Sequence, residues 1–351
     1  MSRPYGRASA VEALVLQFGL AQRVPVAAAV ITTRRCSEAC MHCMQADRGG
    51  AEMTLAQWKR ILGRLADAGV LFLTVTGGEP TVREDWLDLL RMARRAGFAL
   101  KLKTNGYGLD ERACDAVSRL PVMEVHFSFY SVDPRVHDFI TRTPGSHARV
   151  IAAARQLRRN GTRVVLVCPL MSENADGYED VIRFAQAEGM DYLFDPGITV
   201  QEDGCTEPAR HRMPEEMHLR LLSDPRIYEP QEPPPVGEKL GQSVCRIGKA
   251  MVAVAPNGDV WPCLSIQEKL GNLLESDLRS IWVGNPVLEK YASIRWQDLP
   301  KCRECELLPY CVRCHANALL EDGDLYGPSR LACQAARLRR AVGQARGNGK
   351  K

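Results

Sequence analysis

RRCSEACMHCMQADRGG, residues 34–50, places three cysteines on one short segment with the spacing CxxxCxxC: Cys36, Cys40 and Cys43. The next cysteine along the chain is Cys114. A structural zinc site usually takes four protein ligands, and His42, the nearest other candidate, lies inside the motif. A cubane iron–sulfur cluster held by three thiolates keeps one iron open. The spacing therefore favours a cluster with an open coordination position over zinc or redox-active thiols.

A strand–helix alternation surrounds this segment and continues to about residue 200. The apolar, β-rich stretches that precede a helix-like pattern or close the series are 26–33, 70–76, 98–104, 122–130, 162–170 and 191–198. Thr54 and Gln57 have the spacing of a capping box at the start of the first helix, and Gly69 is typical of its end. Six such units in order predict a parallel sheet with right-handed crossovers, either curled into an open barrel or doubly wound.

Unusual residues follow each of the first three predicted strands. The cysteine segment follows the first, GGEP (77–80) follows the second and TNG (104–106) follows the third. In both architectures, functional groups gather at the C-terminal ends of parallel strands. We therefore expect the three motifs to form one site.

The C-terminal third of the chain carries a second set of cysteines. A Pro-rich connector, 229–239, precedes it and cannot continue a helix or a central strand. Seven of the 13 cysteines lie in this set: Cys245, Cys263, Cys302, Cys305, Cys311, Cys314 and Cys333. A segment this short and cysteine-rich is expected to depend on metal clusters for its stability, although its CxxC pairs alone equally fit zinc.

The other cysteines have different interpretations. Cys114 falls in a predicted helix and Cys168 in a predicted strand, where free cysteine usually acts as a small buried apolar residue. Cys205 lies on the connector and has no assignment. His315, beside Cys314, is not expected to be a ligand.

CxxxCxxC, GGEP and TNG in this order resemble the radical S-adenosylmethionine (SAM) superfamily. The seven C-terminal cysteines resemble the SPASM extension, with one departure: two residues precede Cys314 where many members have three. The resemblance covers about residues 25–335 and implies an α/β chain, with a partial (β/α)6 radical SAM barrel followed by a small cysteine-rich iron–sulfur SPASM domain. The expected bounds are 1–25 for an N-terminal extension, 26–200 for the barrel, 201–243 for a connector, 244–335 for SPASM and 336–351 for a basic tail.

The resemblance implies SAM and three [4Fe-4S] clusters as cofactors. Cys36, Cys40 and Cys43 would hold the cluster whose open iron chelates SAM, and electron transfer would then cleave SAM to a 5′-deoxyadenosyl radical. One auxiliary cluster would be closed by four thiolates, from Cys302, Cys305, Cys311 and Cys333. The other would have Cys245, Cys263 and Cys314, with a fourth position open to a substrate thiolate, to Cys205, to water or to a carboxylate.

The resemblance also assigns residues to SAM binding: Gly77, Gly78, Glu79, Asn105, Ser128 and Arg142. The glycines would let the backbone approach the ligand closely, and Glu79 would contact the SAM amino group. Ser128 and Arg142 would hold the ribose or the carboxylate. From the residues alone, GGEP is equally a glycine turn, Asn105 a turn residue and Arg142 a surface ion-pair residue. No catalytic residue is identified.

The bulk composition bounds the class of protein. A net charge of +4, with 45% hydrophobic and 25% charged residues, is typical of an ordinary globular chain and does not indicate nucleic-acid binding. No apolar stretch has the length of a membrane span, and Glu12 and Gln17 interrupt what would be the core of a signal peptide. We expect a cytoplasmic protein whose tail, 336–351, is a frayed, solvated end.

The resemblance implies a radical SAM enzyme that matures a ribosomally made peptide by a thioether or carbon–carbon cross-link, an oxidoreductase-type reaction. The alternatives are formylglycine generation in a sulfatase, a small-molecule dehydrogenase or epimerase, and a non-enzymatic electron carrier that would tolerate changes in GGEP. Because only about 25 residues precede the first strand, we expect a separate leader-peptide-binding protein, together with an external electron donor. The sequence does not name the substrate or the bond formed.

Overall fold

The computed structural model describes residues 10–348 of the chain. Its first six strands are β1 Ala27–Ile31, β2 Phe72–Thr76, β3 Ala99–Thr104, β4 Glu124–Ser128, β5 Val164–Pro169 and β6 Asp191–Asp195. All six are parallel and lie in sequence order across the sheet. A doubly wound sheet reverses its strand order at a switch point, which this sheet does not do. The predicted α/β partial barrel is therefore confirmed.

The helices of the barrel precede or connect these strands. They are α1 Ala10–Gln22, α2 Leu55–Asp67, α3 Trp86–Arg95, α4 Glu111–Ser118, α5 Pro134–Thr141, α6 Ser146–Arg159 and α7 Tyr178–Ala187. The predicted capping box is present at α2, where the Gln57 backbone N–H donates to Thr54 Oγ1 at 3.3 Å and the Thr54 N–H donates to Gln57 Oε1 at 2.9 Å. Two helices lie between β4 and β5 where one was predicted, because Arg142 and Gly145 take left-handed backbone conformations between them.

The main core lies between the sheet and these helices. Alternate residues of each strand point into it, among them Leu73, Leu100 and Phe127, which are fully buried against helix residues such as Trp58 and Leu157. Since successive side chains of a strand point to opposite faces, the intervening residues face the inside of the barrel. That inner face is the lumen in the following sections.

The chain after residue 200 adds both helices and strands. The helices are α8 Glu215–Ser223, α9 Val236–Gly241, α10 Leu278–Trp282, α11 Pro286–Ser293, α12 His315–Asp322 and α13 Arg330–Asn348. β7 Met251–Val254 pairs in parallel with β1, and β8 Asp259–Trp261 and β9 Gly271–Asn272 follow antiparallel. The sheet therefore has nine strands, and the segment that follows the connector begins by extending the barrel sheet.

A smaller second core supports the cysteine-rich part of the chain. It contains the buried side chains of Ile247, Tyr291, Trp296, Leu299 and Leu308, and five of the seven C-terminal cysteines pack against it. This apolar core was not predicted from the sequence. It shows that the cysteine-rich part has its own apolar contacts in addition to its thiols.

The basic tail is helical rather than frayed. Helix α13 continues to residue 348, and Leu338 and Val342 pack against Leu222 of α8. The Arg346 guanidinium donates to the Ser223 carbonyl at 2.8 Å. The expectation of a solvated end is therefore wrong for residues 336–348, because two apolar residues one turn apart anchor the helix. The rest of that tail, 349–351, and residues 1–9 of the predicted N-terminal extension lie outside the described residues.

Within residues 10–348, no helix combines the length and the apolar composition that crossing a membrane requires.

Candidate functional site

The segment between β1 and α2 carries the first three cysteines. Cys36, Cys40 and Cys43 are all free and partly exposed. Backbone hydrogen bonds hold the segment against the end of α5: the Ala39 N–H donates to the Thr141 carbonyl and the Met41 N–H to the Ile140 carbonyl, both at 3.1 Å. Because the segment directly follows the C-terminal end of β1, the three thiols lie at the edge of the sheet where we expected the site.

Gly77 and Gly78 bring the end of β2 against this segment. A Cβ atom on either glycine would lie closer than 3.0 Å to a backbone carbonyl oxygen, that of Thr33 or Arg35 respectively. The Gly78 N–H donates to the Thr33 carbonyl at 2.8 Å, and the Glu79 N–H donates to the Arg35 carbonyl at 2.9 Å. Contact with the cysteine segment thus accounts for both glycines, and their approach to SAM stays a prediction.

Glu79 ties the end of β2 to the end of β3. Its carboxylate is 1% exposed and accepts hydrogen bonds from the Thr81 and Thr104 hydroxyls, each at 2.7 Å, and from the Asn105 backbone N–H at 2.5 Å. Burial raises the pKa of Glu79, and these hydrogen bonds oppose the shift. The side chain is therefore a structural tie between GGEP and TNG, and its contact with the SAM amino group stays a prediction.

Asn105 connects TNG to the cysteine segment. Its Nδ2 donates to Ser37 Oγ at 3.0 Å and lies 3.8 Å from Cys36 Sγ. Its Oδ1 accepts from the Tyr107 backbone N–H at 3.0 Å, which fixes the orientation of the amide. The structure thus brings together the three motifs that the sequence placed after β1, β2 and β3.

Two residues beside Cys40 were missed by sequence reasoning. Tyr130 is buried with its hydroxyl 3.8 Å from Cys40 Sγ, and Ser128 lies within hydrogen-bonding reach of the same phenol. Glu38 places a carboxylate oxygen 3.4 Å from Cys40 Sγ, and burial raises the pKa of Glu38 to about 7. Tyr130 lies two residues after Ser128. Since side chains two residues apart in an extended segment point to the same face, the sequence pattern beyond β4 could have identified Tyr130.

Arg142 lies beside the same segment, and His42 lies within it. Arg142 is exposed with a φ of 53°, and it shares a surface cavity of about 540 Å³ with Met41 and His211. Such a backbone conformation is uncommon for a residue with a side chain and recurs at functional sites. The His42 ring packs edge-on against Tyr130 at 5.1 Å between centroids, and burial lowers the pKa of His42 to about 4. The contact of Arg142 with SAM stays a prediction.

The thiols of the first segment fit an iron–sulfur cluster in their chemistry. Burial raises the pKa of Cys36 to about 11 and that of Cys40 further, so both are protonated at neutral pH without a metal. A coordinated metal ion deprotonates a thiol through its positive charge. Three thiols on one segment match the protein ligands of a cubane with one open iron. Among the described residues, no three His, Cys, Asp or Glu side chains are arranged to hold a single metal ion.

One group of C-terminal cysteines comprises Cys245, Cys263 and Cys314. Burial raises the pKa of Cys245, and that of Cys263 to about 11. Cys314 lies near enough to both for a charge on it to raise their pKa values further, and Cys245 acts on Cys263 in the same way. The three thiols therefore share one region, and their ligation of a common cluster stays a prediction.

The other group comprises Cys302, Cys305, Cys311 and Cys333. Burial raises the pKa of Cys311 to about 12, and Cys333 and Cys302 contribute to that increase. Burial is also the main cause of the raised pKa values of Cys302 and Cys333. A charge on Cys305 raises both pKa values further. These four thiols therefore share one region, and their ligation of a common cluster stays a prediction.

The remaining candidates stand apart from these groups. Cys114 in α4 and Cys168 in β5 are buried in the main core, as predicted, and Cys205 is exposed. Nδ1 of the buried His315 lies 2.9 Å from Nη1 of Arg313. Because a guanidinium only donates, Nδ1 accepts and the proton of the neutral imidazole is on Nε2. This tautomer supports the expectation that His315 is not a ligand.

Comparison with known proteins agrees with this arrangement. The radical SAM superfamily matches residues 30–185, and SPASM, an iron–sulfur cluster-binding domain, matches residues 245–306. The PqqA peptide cyclase of Granulibacter bethesdensis is 25% identical over an aligned length of 337 residues, and the alignment covers 90% of each chain. That of Rhodopseudomonas palustris is 26% identical over 336 residues, 87% of this chain and 86% of the relative.

Solved structures share the fold. Streptococcus suis SuiB bound to precursor peptide SuiA has a TM-score of 0.67 at 18% identity, covering 92% of this chain and 80% of SuiB. Native anSMEcpe with bound AdoMet has a TM-score of 0.68 at 13% identity, covering 92% of this chain and 98% of anSMEcpe. These structures share the fold, and the two family matches show that the chain is a radical SAM enzyme with a C-terminal SPASM iron–sulfur domain.

Proposed function

We propose that this radical SAM enzyme cross-links a ribosomally synthesised peptide through a carbon–carbon or thioether bond. The observation that carries the proposal is the match to a peptide cyclase over 90% of both chains, which spans the barrel and the cysteine-rich part together. A match of this extent includes the parts of the chain that surround the lumen. The curated relatives reported above support neither formylglycine generation nor small-molecule dehydrogenation or epimerisation.

The proposal includes three [4Fe-4S] clusters, held by the three cysteine groups described above. SAM and the first cluster together supply a 5′-deoxyadenosyl radical when they are bound. The role of this chain is to position that chemistry. Glu79 and Asn105 fix the ends of β2 and β3 against the cysteine segment, and Arg142 offers an exposed guanidinium beside it for the SAM carboxylate. Ser128 is proposed for the ribose, next to Tyr130.

A separate leader-peptide-binding protein and an external electron donor belong to the same proposal. A short peptide has few contacts of its own to offset the entropy of ordering, so delivery by a second protein raises its effective concentration at the barrel. The check is peptide modification with and without a small protein encoded beside the enzyme. Equal rates at limiting peptide concentration would exclude a delivery role.

The experiment for the proposed function uses the anaerobically reconstituted enzyme, SAM, a reductant and a short peptide encoded beside the gene. We expect 5′-deoxyadenosine and a peptide whose mass is lower by two hydrogens, since a cross-link replaces two X–H bonds by one new bond. Tandem mass spectrometry then locates the linked residues. Formation of 5′-deoxyadenosine without any change in the peptide would contradict the proposal.

That experiment compares two variants in which cysteines are replaced by Ala, one at the first cluster and one in the apolar core. Replacement of Cys36, Cys40 and Cys43 by Ala is expected to abolish 5′-deoxyadenosine formation and to leave the iron of the C-terminal part. Cys114→Ala removes a buried cysteine of the core and is expected to keep the reaction. Cleavage of SAM by the triple variant would show that the active cluster lies elsewhere.

A further inference from the structure

Strand β3 presents lysines to the lumen. Leu100 and Leu102 are buried in the main core, so Lys101 and Lys103, which alternate with them, lie on the opposite face of the sheet. Lysine is rarely placed on the inner face of a barrel-like sheet unless it has a partner or a function. Lys101 has ion-pair partners in the protein, whereas Lys103 has none among the described residues.

Lys101 belongs to an ion network on the inner face of the sheet. Its Nζ lies 2.9 Å from Glu124 Oε1, and the same carboxylate is 2.9 Å from His126 Nε2 and 3.1 Å from Arg163 Nη1. Arg163 also lies 2.7 Å from Asp191 on β6. The charges of this network therefore offset one another, and the ammonium of Lys101 is already paired with a carboxylate of the protein.

Lys103 stands outside this network. Within the part of the chain that the structure describes, its ammonium has no hydrogen bond or ion pair, and the side chain is open to solvent. The charges that act on it are those of Asp195, Lys101 and Glu124, and the protein atoms around the lumen lower its pKa by reducing its hydration, although water still reaches the side chain. The Asp195 carboxylate is instead engaged by the Gly197 N–H, from which it accepts at 2.9 Å.

The neighbour of Lys103 on β4 adds a second unsatisfied group. His126 is the register partner of Lys103, and its Nδ1 is buried without a hydrogen bond to any described residue. Its Nε2 is already engaged with Glu124. One ammonium and one imidazole nitrogen are thus left without partners, among the described residues, at adjacent positions of the lumen. A buried polar group in a folded protein normally has a partner, so the Nδ1 atom of His126, with the solvent-accessible ammonium of Lys103 beside it, indicates a site for a polar ligand.

We propose that Lys103 binds a carboxylate of the substrate inside the lumen, so that the enzyme selects a peptide with an acidic residue at this point. The inference rests on the proposed peptide substrate. A substrate that fills the lumen displaces the water around the ammonium, and a desolvated cation without a counter-charge is unfavourable. A carboxylate supplies that charge and forms a charge-assisted hydrogen bond.

The carboxylate is assigned to the substrate rather than to SAM by the charges around each site. SAM would bind at the cysteine segment, where Glu79, Glu38 and Arg48 are the charges that act on Cys36. None of these is among the charges that act on Lys103, which lie on β3, β4 and β6. The charges around Lys103 are therefore those of the inner face of the sheet, whereas the charges around Cys36 belong to the cysteine segment and to GGEP.

The first test measures the accessibility of the Lys103 amine by trace acetylation of the reconstituted enzyme and mass spectrometry. The probe is N-acetyl-L-glutamate α-amide, and its matched neutral control is N-acetyl-L-glutamine α-amide. At a probe concentration of about twice its Kd, we expect labelling of Lys103 to slow about threefold. Lys59, exposed on the outer surface of α2, is expected to label at an unchanged rate.

Each other result of this test overturns the inference. An unchanged labelling rate would show that Lys103 binds no carboxylate. Equal protection by the glutamine amide would show that charge is not recognised. Protection by SAM alone would assign the carboxylate to the cofactor and overturn the assignment to the substrate. Because no turnover is measured, these results are independent of whether the peptide reaction occurs.

The second test uses variants in the peptide reaction. Lys103→Met is expected to raise the KM for the peptide about tenfold, the effect of losing about 1.4 kcal/mol of binding, with a smaller change in kcat. Lys103→Arg keeps the charge and is expected to restore most of the affinity. A Lys103→Met enzyme with wild-type KM, or a Lys103→Arg enzyme as impaired as Lys103→Met, would contradict carboxylate binding.

Discussion

The hydroxyl of Tyr130 lies 3.8 Å from the Sγ atom of Cys40, in a buried position just beyond the end of β4. The ring is fixed on both sides, by His42 at 5.1 Å and by His137 at 5.2 Å between ring centroids. Such packing leaves the hydroxyl little freedom to turn away. Tyr130 is therefore placed to donate a hydrogen bond to the sulfur of a predicted cluster ligand.

Tyr130→Phe is expected to lower the reduction potential of the first cluster. A hydrogen bond to a ligand sulfur stabilises the reduced, more negative state, so its loss favours the oxidised state. If the bond contributes about 1 kcal/mol to this difference, the shift is a few tens of millivolts for one electron. The measurement is a redox titration by electron paramagnetic resonance of the signal that changes when SAM is added. Tyr192→Phe, on β6, is the control and is expected to leave the potential unchanged; equal potentials in all three proteins would exclude this bond.

Gly78→Ala is expected to prevent loading of the first cluster. A Cβ atom at this position would lie closer than 3.0 Å to the carbonyl oxygens of Arg34 and Arg35, so the cysteine segment would have to move. Iron analysis should show the loss of about one cluster, because the C-terminal cysteines lie elsewhere in the fold. The control is Gly63→Ala in α2, where an added Cβ atom meets nothing within 4 Å. Full iron content in Gly78→Ala would show that the segment adapts.

Glu124→Gln is expected to destabilise the protein in a pH-dependent way. Burial would raise the pKa of Glu124, but hydrogen bonds from His126 and Lys101 and their charges outweigh it and hold the pKa at about 2, against an ordinary value of 4.5. A lowered pKa stabilises the fold at pH values above 4.5, and this contribution is lost as the pH falls from 4.5 towards 2. A shift of this size corresponds to about 3 kcal/mol.

Urea unfolding of the reduced, metal-free protein checks the Glu124 prediction. The difference between wild type and Glu124→Gln should be about 3 kcal/mol at pH 7 and smaller at pH 3.5. Asp88→Asn removes one partner of an exposed ion pair with Arg91 and should cost less than about 1 kcal/mol. A difference between wild type and Glu124→Gln that does not depend on pH would show that packing, not the charge of Glu124, is responsible.

The six strands of the barrel were predictable because their signals are local. Each lies in an apolar or alternating stretch of at least seven residues that precedes a helix pattern or closes the series, and β1 to β6 all fall inside these predicted stretches. β8 and β9 have only three and two residues. Such short strands cannot show the alternation of apolar and polar residues that identifies a strand in the sequence. β7 joins β1 from more than two hundred residues away, and such a pairing leaves no local signal.

The candidate site was predictable where spacing carried the information. Cys36, Cys40 and Cys43 are defined by their separation along the chain, whereas Tyr130 acquires its role only when β4 is brought beside the cysteine segment. Lys103 illustrates the same limit. Its alternation with Leu102 is visible in the sequence, but a polar residue on that face is expected to meet water until the topology turns the face into a lumen.

The last prediction concerns the fourth ligand of the cluster at Cys245, Cys263 and Cys314. Two nearby candidates are disfavoured by the structure. The Nδ1 atom of His315 accepts from Arg313, which leaves a proton on Nε2. The turn that carries Cys205 is held against the first cysteine segment, since the Glu202 N–H donates to the Met44 carbonyl at 2.9 Å, and Cys205 is exposed. We therefore expect Cys205→Ala to keep all its iron.

An iron without a protein ligand is expected to bind a cysteine thiolate of the substrate and to lower its pKa. The measurement is spectroscopy of the Cys36/Cys40/Cys43→Ala protein, in which only the auxiliary clusters remain, with and without a cysteine-containing peptide. The same peptide with Ser in place of Cys is the control, because a hydroxyl is a far poorer ligand for iron. We expect the auxiliary signal to change with the Cys peptide alone. No change, together with loss of a cluster in Cys205→Ala, would show that Cys205 closes the site and leave electron transfer as the role of that cluster.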